Sequence, residues 1–283
     1  MKITETIHAL KHHFQIPVSP EMKVDRFVYS YIVFGEEGIH LVDSGVMASE
    51  KAIYSYIEGQ GRSPAEIKSL FLTHSHPDHV GAARLIQQKS GCQLFAHAGE
   101  KDWTEDVQKQ YAERPVPGFN TLVAGSARVD RLAADGDIIR LEENIAVKVI
   151  YTPGHSAGSI SLLFEMEGVL ISGDCVLLPG MLPIYDNVLE GAASVKKLQR
   201  LVNINVLLSA WDEPRQGAAV REKMNQSVDY LEKIHRTIHA IEDAGKLDRV
   251  ELCKRVVAIL GLPADAINPL VIRSLFLNAQ AGG

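Results

Sequence analysis

A chain of 283 residues with 46% hydrophobic and 23% charged side chains has the balance of a folded globular protein, which excludes disorder as its main theme. Its formal net charge of -6 repels phosphate backbones and speaks against broad nucleic-acid binding. No apolar run is long enough to span a bilayer.

Met1-Lys2-Ile3-Thr4-Glu5 lacks the apolar stretch of a signal peptide. Cys92, Cys175 and Cys253 are odd in number and widely spaced, so no disulfide framework is expected. The expectation is a cytoplasmic protein with reduced thiols and no membrane partner.

In chain order, Val28 to Phe34 and Ile39 to Val42 read as a hairpin around the turn Gly35-Glu36-Glu37-Gly38, ended by Asp43-Ser44-Gly45. Ala52, Ile53, Tyr56 and Ile57 share a helical face, and Ser63-Pro64 with Glu66 marks a further helix start. Leu70-Phe71-Leu72 reads as a buried strand running into a histidine cluster. Val80, Ala83, Leu85 and Ile86 then fit a helix ended by Gly91, and Leu94-Phe95-Ala96 is another strand. From about Glu100 to Leu132, Pro115 and Pro117 break regular structure, so a loop or insertion near the site is expected.

Strands return at Ile138-Ile139, Ala146 to Tyr151, Ile160 to Phe164 and Val169 to Ser172, followed by a helix over Val188 to Leu201 and a strand at Val206-Leu207-Leu208. Two strand-rich halves, each with helices, predict two packed sheets with helices outside. The tail changes character. Val220, Met224, Val228, Leu231, Ile234, Ile238 and Ile241 form an amphipathic helix that Gly245 would cap. Asp248 and Glu251 have capping-box spacing for a second helix, and Asn268-Pro269 opens a third through Leu277. The expected division is residues 1–214 and a helical extension over 215–283, whose apolar face requires burial within the chain or in a homodimer.

The chemistry concentrates in His74-Ser75-His76-Pro77-Asp78-His79, four metal-ligand side chains in six residues between a strand and a helix. Imidazole and carboxylate suit zinc, iron or manganese. One short loop cannot aim all four groups at a single ion, so either two ions share them or one group serves as a base. Thr152-Pro153-Gly154-His155 places a histidine in a tight turn, and Ser172-Gly173-Asp174 a carboxylate at a strand end; each alone is a weak signal.

Together, in this order, these three motifs resemble the metallo-β-lactamase superfamily and, within it, the glyoxalase II and lactonase-like hydrolases, over roughly residues 25 to 212. The resemblance implies an α/β (α+β) fold, a four-layer αββα sandwich with a C-terminal helical extension here. It also implies that His74, His76 and His155 hold a first metal, Asp78 and His79 a second, and that Asp174 bridges them. One departure stands out. Trp211, in Ser209-Ala210-Trp211-Asp212, occupies the place of the family's last histidine. Asp212 is therefore either a substitute ligand or an ordinary turn residue, and the metal count, one or two ions, stays open.

The implied activity is metal-dependent hydrolysis of a small ester, thioester, lactone or related substrate, with a divalent metal, zinc first, making water nucleophilic at neutral pH and Asp78 as the catalytic residue. Rival readings are an iron-dependent oxidoreductase, a nuclease or phosphodiesterase, and a non-catalytic metal-binding protein. Tyr151 and Tyr185 are candidate oxyanion or leaving-group partners, more simply read as packing residues. His12-His13, His97, Cys175 and the pair His235 and His239 are read as structural or solvent-facing.

Overall fold

The computed structural model describes residues 1–17 and 23–281. Two six-stranded sheets carry the architecture. The first opens with β1 (Ile7–Pro17) and β2 (Lys23–Phe34), paired antiparallel from Ile7 opposite Val33 to Pro17 opposite Lys23. Antiparallel β3 (Ile39–Val42) follows, then α1 (Ser49–Gly59) crosses over to parallel β4 (Ile67–Phe71). The short helices α2 (Pro77–Val80) and α3 (Ala83–Ser90) lead to parallel β5 (Gln93–Ala96).

Three more short helices, α4 (Ala98–Glu105), α5 (Val107–Glu113) and α6 (Phe119–Leu122), precede β6 (Arg131–Leu132), the edge of this sheet. The second sheet runs β7 (Ile138–Glu142), β8 (Ile145–Tyr151), β9 (Ile160–Phe164) and β10 (Val169–Gly173) as an antiparallel meander. Helix α7 (Val188–Gln199) then crosses to β11 (Val206–Ser209), parallel to β10, and β12 (Arg215–Gln216) closes the edge. Helices α8 (Ala218–His239), α9 (Arg249–Leu260) and α10 (Pro269–Gln280) end the chain.

Packing follows from which residues face where. Tyr31, Phe71 and Phe95 of the first sheet meet Val149, Leu162 and Ile171 of the second in the central core. On the outer face of the first sheet, Ile53, Ile57 and Ile86 pack with Phe119 and Leu122. On the outer face of the second, Val195 and Leu198 join Leu231, Ile234, Leu252 and Val271. That is the expected four-layer αββα sandwich with C-terminal helices. Strands such as β9, β10 and β11 are buried at every position, which is why they read as unbroken apolar runs. The apolar stripe of α8 is covered within the chain: Met224, Leu231, Ile234 and Ile238 are all buried.

Several expectations are corrected. The segment from Glu100 to Leu132 holds three helices rather than a loop. They are eight, seven and four residues long, too short to display a period. Asp106 caps α5 by accepting from Gln108 and Lys109 N–H, and Pro115 and Pro117 fall between α5 and α6. Ser63 and Glu66 do form a capping box, but it starts only a 3-10 turn over Pro64–Glu66, because Ile67 and Leu70 gain more burial as a strand. Gly245 lies in a separate turn, Ala244–Lys246, and α8 ends at His239. Strand β1 escaped the sequence reading because His8 and His12 are among its buried positions, which hides the apolar alternation.

Candidate metal centre

Three strand ends deliver the ligand-type side chains to one edge of the sandwich. From β4, Leu72 and Thr73 lead into His74, and His76 sits just before α2 with Pro77 in its first turn. From β8, the chain turns through Gly154 at φ 126°; a Cβ there would stand 2.3 Å from the Gly191 nitrogen, so only glycine permits the turn that presents His155. From β10, Gly173 at φ 52° leaves room for Thr73 and places Asp174.

The side chains converge. His76 Nδ1 lies 3.0 Å from His74 Nε2 and 2.8 Å from His155 Nε2. Asp174 reaches His155 Nε2 at 3.2 Å and His79 Nε2 at 3.3 Å, and Asp78 reaches His79 Nε2 at 3.4 Å. Two groups have ligand atoms clustered closely enough to share an ion: His74, His76 and His155, and His74, His79 and Asp174. All six residues named from the motifs thus meet in one place, although Asp78 stands at the margin of the second group. Among the described residues, the buried atoms His79 Nε2, Asp78 Oδ2 and Asp174 Oδ1 have no hydrogen-bond partner. Buried polar atoms left bare are costly, and a cation held between the two carboxylates and the imidazole would satisfy all of them at once.

The surrounding residues set the tautomers. Thr73 Oγ1 donates to Asp43 at 2.8 Å, so at 3.1 Å it accepts from His74 Nδ1 and leaves His74 Nε2 bare toward the cluster. His79 Nδ1 donates to Asp43 at 2.8 Å, with the same result for its Nε2. Glu100, buried, accepts from Ser75 N–H at 2.9 Å, Ser156 Oγ at 2.6 Å and Gly158 N–H at 2.7 Å, tying the His74 loop to the His155 loop. Burial pushes the imidazoles of His74, His76 and His155 down toward the neutral, ligand-competent form. His79 is buried as well, but the carboxylates of Asp43, Asp174 and Asp78 outweigh burial and raise it well above the ordinary histidine value, which favours a proton on Nε2 that a bound ion would replace. Asp174, largely buried, is pulled below the usual carboxylate range by His79 and His155.

The remaining sequence candidates fall elsewhere. The Tyr185 hydroxyl donates to the Asp174 and Cys175 carbonyls at 2.7 and 2.8 Å, which makes it a brace for the β10 exit. Tyr151 donates to the Ala157 carbonyl, and His97 caps α4 and stacks on Tyr151. Cys175 is buried, which pushes its thiol up to about 12. His235 and His239 touch with tilted rings along α8, and His239 is exposed. Trp211 packs against Phe14 and Phe27, and both Asp212 oxygens are taken by Arg215 at 2.6 and 2.7 Å. Asp212 is therefore engaged by Arg215 and belongs to neither ligand group. Sequence reading missed Asp43, taken only as part of a turn, and Glu100, which has no local signal.

Comparison with known proteins agrees with this picture. A profile described as the metallo-beta-lactamase superfamily matches residues 24–208. "Probable metallo-hydrolase YqgX" of Bacillus subtilis is 26% identical over 155 residues, 54% of this chain and 67% of that protein. A hydroxyacylglutathione hydrolase of Hyphomonas neptunium is 29% identical over 136 residues, 48% of this chain and 44% of that enzyme, so the match spans under half of the latter. Among solved structures, a metallo-beta-lactamase family protein from Thermus thermophilus shares the fold at a TM-score of 0.67 and 18% identity, covering 96% of each chain. Among the described residues no helix is long and apolar enough to cross a membrane.

Proposed function

Because the chain belongs to the metallo-beta-lactamase superfamily, we propose that it is a metal-dependent hydrolase of a small ester, thioester or lactone. The observation that carries this is the convergence of the two ligand groups, with the bare atoms of His79 and Asp174 among them and that of Asp78 beside them. His74, His76 and His155 would hold one divalent ion, with zinc the first choice for three imidazoles and iron or manganese compatible. His79, Asp78 and Asp174 would hold a second. When bound, such an ion polarises a carbonyl and brings the pKa of water to about 7.

The chain's own residues supply the rest. Asp78, with one oxygen unpaired, orients water and accepts its proton. Asp43 and Thr73 keep His79 and His74 in the required tautomers, and Tyr185 fixes the backbone beneath Asp174. With Trp211 packed on aromatic rings and Asp212 paired to Arg215, the second site has one protein ligand fewer than the resemblance implies, and its ion is the weaker of the two.

Elemental analysis of protein purified without added metal, before and after dialysis against a chelator, tests this together with hydrolysis of an ester and thioester panel. We expect one tightly held and one readily lost ion, activity that follows metal content, and loss of about 100-fold or more in His76→Ala. No metal after reconstitution, or full activity in His76→Ala, would sink the proposal. A single iron with oxygen consumption would move the site to oxidoreductase chemistry.

A further inference from the structure

A charged side chain stands beside the ligand cluster without a partner. Arg114, at the end of α5, is 5% exposed, and among the described residues its guanidinium makes no hydrogen bond and no ion pair. Its place is fixed by the helix. Gln110, one turn earlier, donates to the Ser75 carbonyl at 2.5 Å, inside the ligand loop, and Arg114 N–H closes onto the Gln110 carbonyl. Residues four apart share a helix face, so Arg114 lies on the side of α5 that Gln110 turns toward the ligand loop. Burial lowers Arg114 to about 10, so it remains protonated at neutral pH.

Asp186 is its natural counter-ion, the carboxylate that most offsets the burial of Arg114. Yet Asp186 is engaged by Arg273 of α10 at 2.5 Å, and its own N–H is anchored to the His155 carbonyl at 3.4 Å. A buried ion left unpaired is costly, and the cost is recovered when a ligand brings the opposite charge. A guanidinium offers a planar fork matched to a carboxylate.

We propose that Arg114 is a substrate-binding residue that takes a carboxylate carried by the substrate, while Arg273 holds Asp186 away from it. The preferred substrates are then esters, thioesters or lactones of carboxylate-bearing compounds. This rests on the hydrolase reading of the metal centre. Truncating Arg114 removes the fork. Losing Arg273 frees Asp186 to compete with the substrate's carboxylate.

The test is calorimetric titration of metal-loaded protein with succinate, and with succinamide as the uncharged control, in wild type, Arg114→Met and Arg273→Gln, alongside thermal unfolding of each. Succinate is expected to bind the wild type and to weaken by about tenfold or more in Arg114→Met, less in Arg273→Gln, with succinamide indifferent to either change. Arg114→Met should unfold at the same or a higher temperature, since it removes an unpaired buried charge. Succinate affinity equal in wild type and Arg114→Met, or absent from both, overturns the proposal. So does a lowered unfolding temperature with metal lost from Arg114→Met, which would make the arginine a structural counter-charge to Asp78 and Asp174. Succinate binding that depends on Arg114 in a protein that hydrolyses nothing would sink the hydrolase reading alone.

Discussion

At the scale of single residues, Asp43 fixes two histidines with one carboxylate, directly through His79 and by way of Thr73 for His74. Asp43→Asn is expected to weaken the ion at His79 by about 10- to 100-fold in chelator competition, with the three-histidine site less affected. An unchanged affinity for the ion at His79 in the variant would mean that Asp43 does not act through His79. Glu100→Gln places amide hydrogens against groups that donate, and roughly 3 kcal/mol of stability should go in denaturant unfolding. His12 offers a pH test away from the centre. It is buried against Ser30 Oγ at 2.7 Å, and burial depresses its imidazole to about 4. Its stabilising contribution is therefore complete above its unfolded value near 6.5 and is lost as pH falls toward 4, about 3 kcal/mol in all. A His12→Leu variant should show a flatter stability profile across that window; an unchanged slope would assign the acid loss elsewhere. The six motif residues were legible because their spacing is local. Asp43 and Arg114 were not, since each acquires its role only from residues brought beside it by the fold.

At the scale of elements, α10 is bolted to the loop that leaves the metal centre. Ser274 Oγ donates to the Tyr185 carbonyl and accepts its N–H, and Asn278 accepts from Val188 N–H at 2.7 Å while donating to the Tyr185 carbonyl at 3.1 Å. Asn278 thereby supplies a cap to α7 from another helix, a contact that no pattern near Val188 announces. Asn278→Ala strands these groups, and about 2 kcal/mol should be lost in urea unfolding. The elements that were readable are those whose burial writes itself into periodicity: the fully covered strands and the long α8. The helices between Ala98 and Leu122 were not, because each is too short to repeat a face and their burial depends on the sheet beneath.

At the scale of the whole molecule, the helical tail shares one core with the second sheet: Leu170 and Leu207 pack in the same cluster as Leu231, Leu252 and Val271. We propose that the division at residue 214 marks a change of structural class rather than an independently folding unit. A fragment of residues 1–214 should then show no cooperative thermal transition; a sharp transition near that of the full chain would establish a separable domain.

The tie made by Glu100 has a kinetic meaning. Glu100 reaches Ser156 across 56 residues, and the contact between His76 and His155 spans 79 residues. We expect contacts of that sequence separation to form late, after both sheets have met. A cation that needs all these groups in place has nothing to grip in the early chain. Added metal should accordingly leave the refolding rate nearly unchanged and slow unfolding instead, lengthening the lifetime of the native protein rather than hastening its arrival.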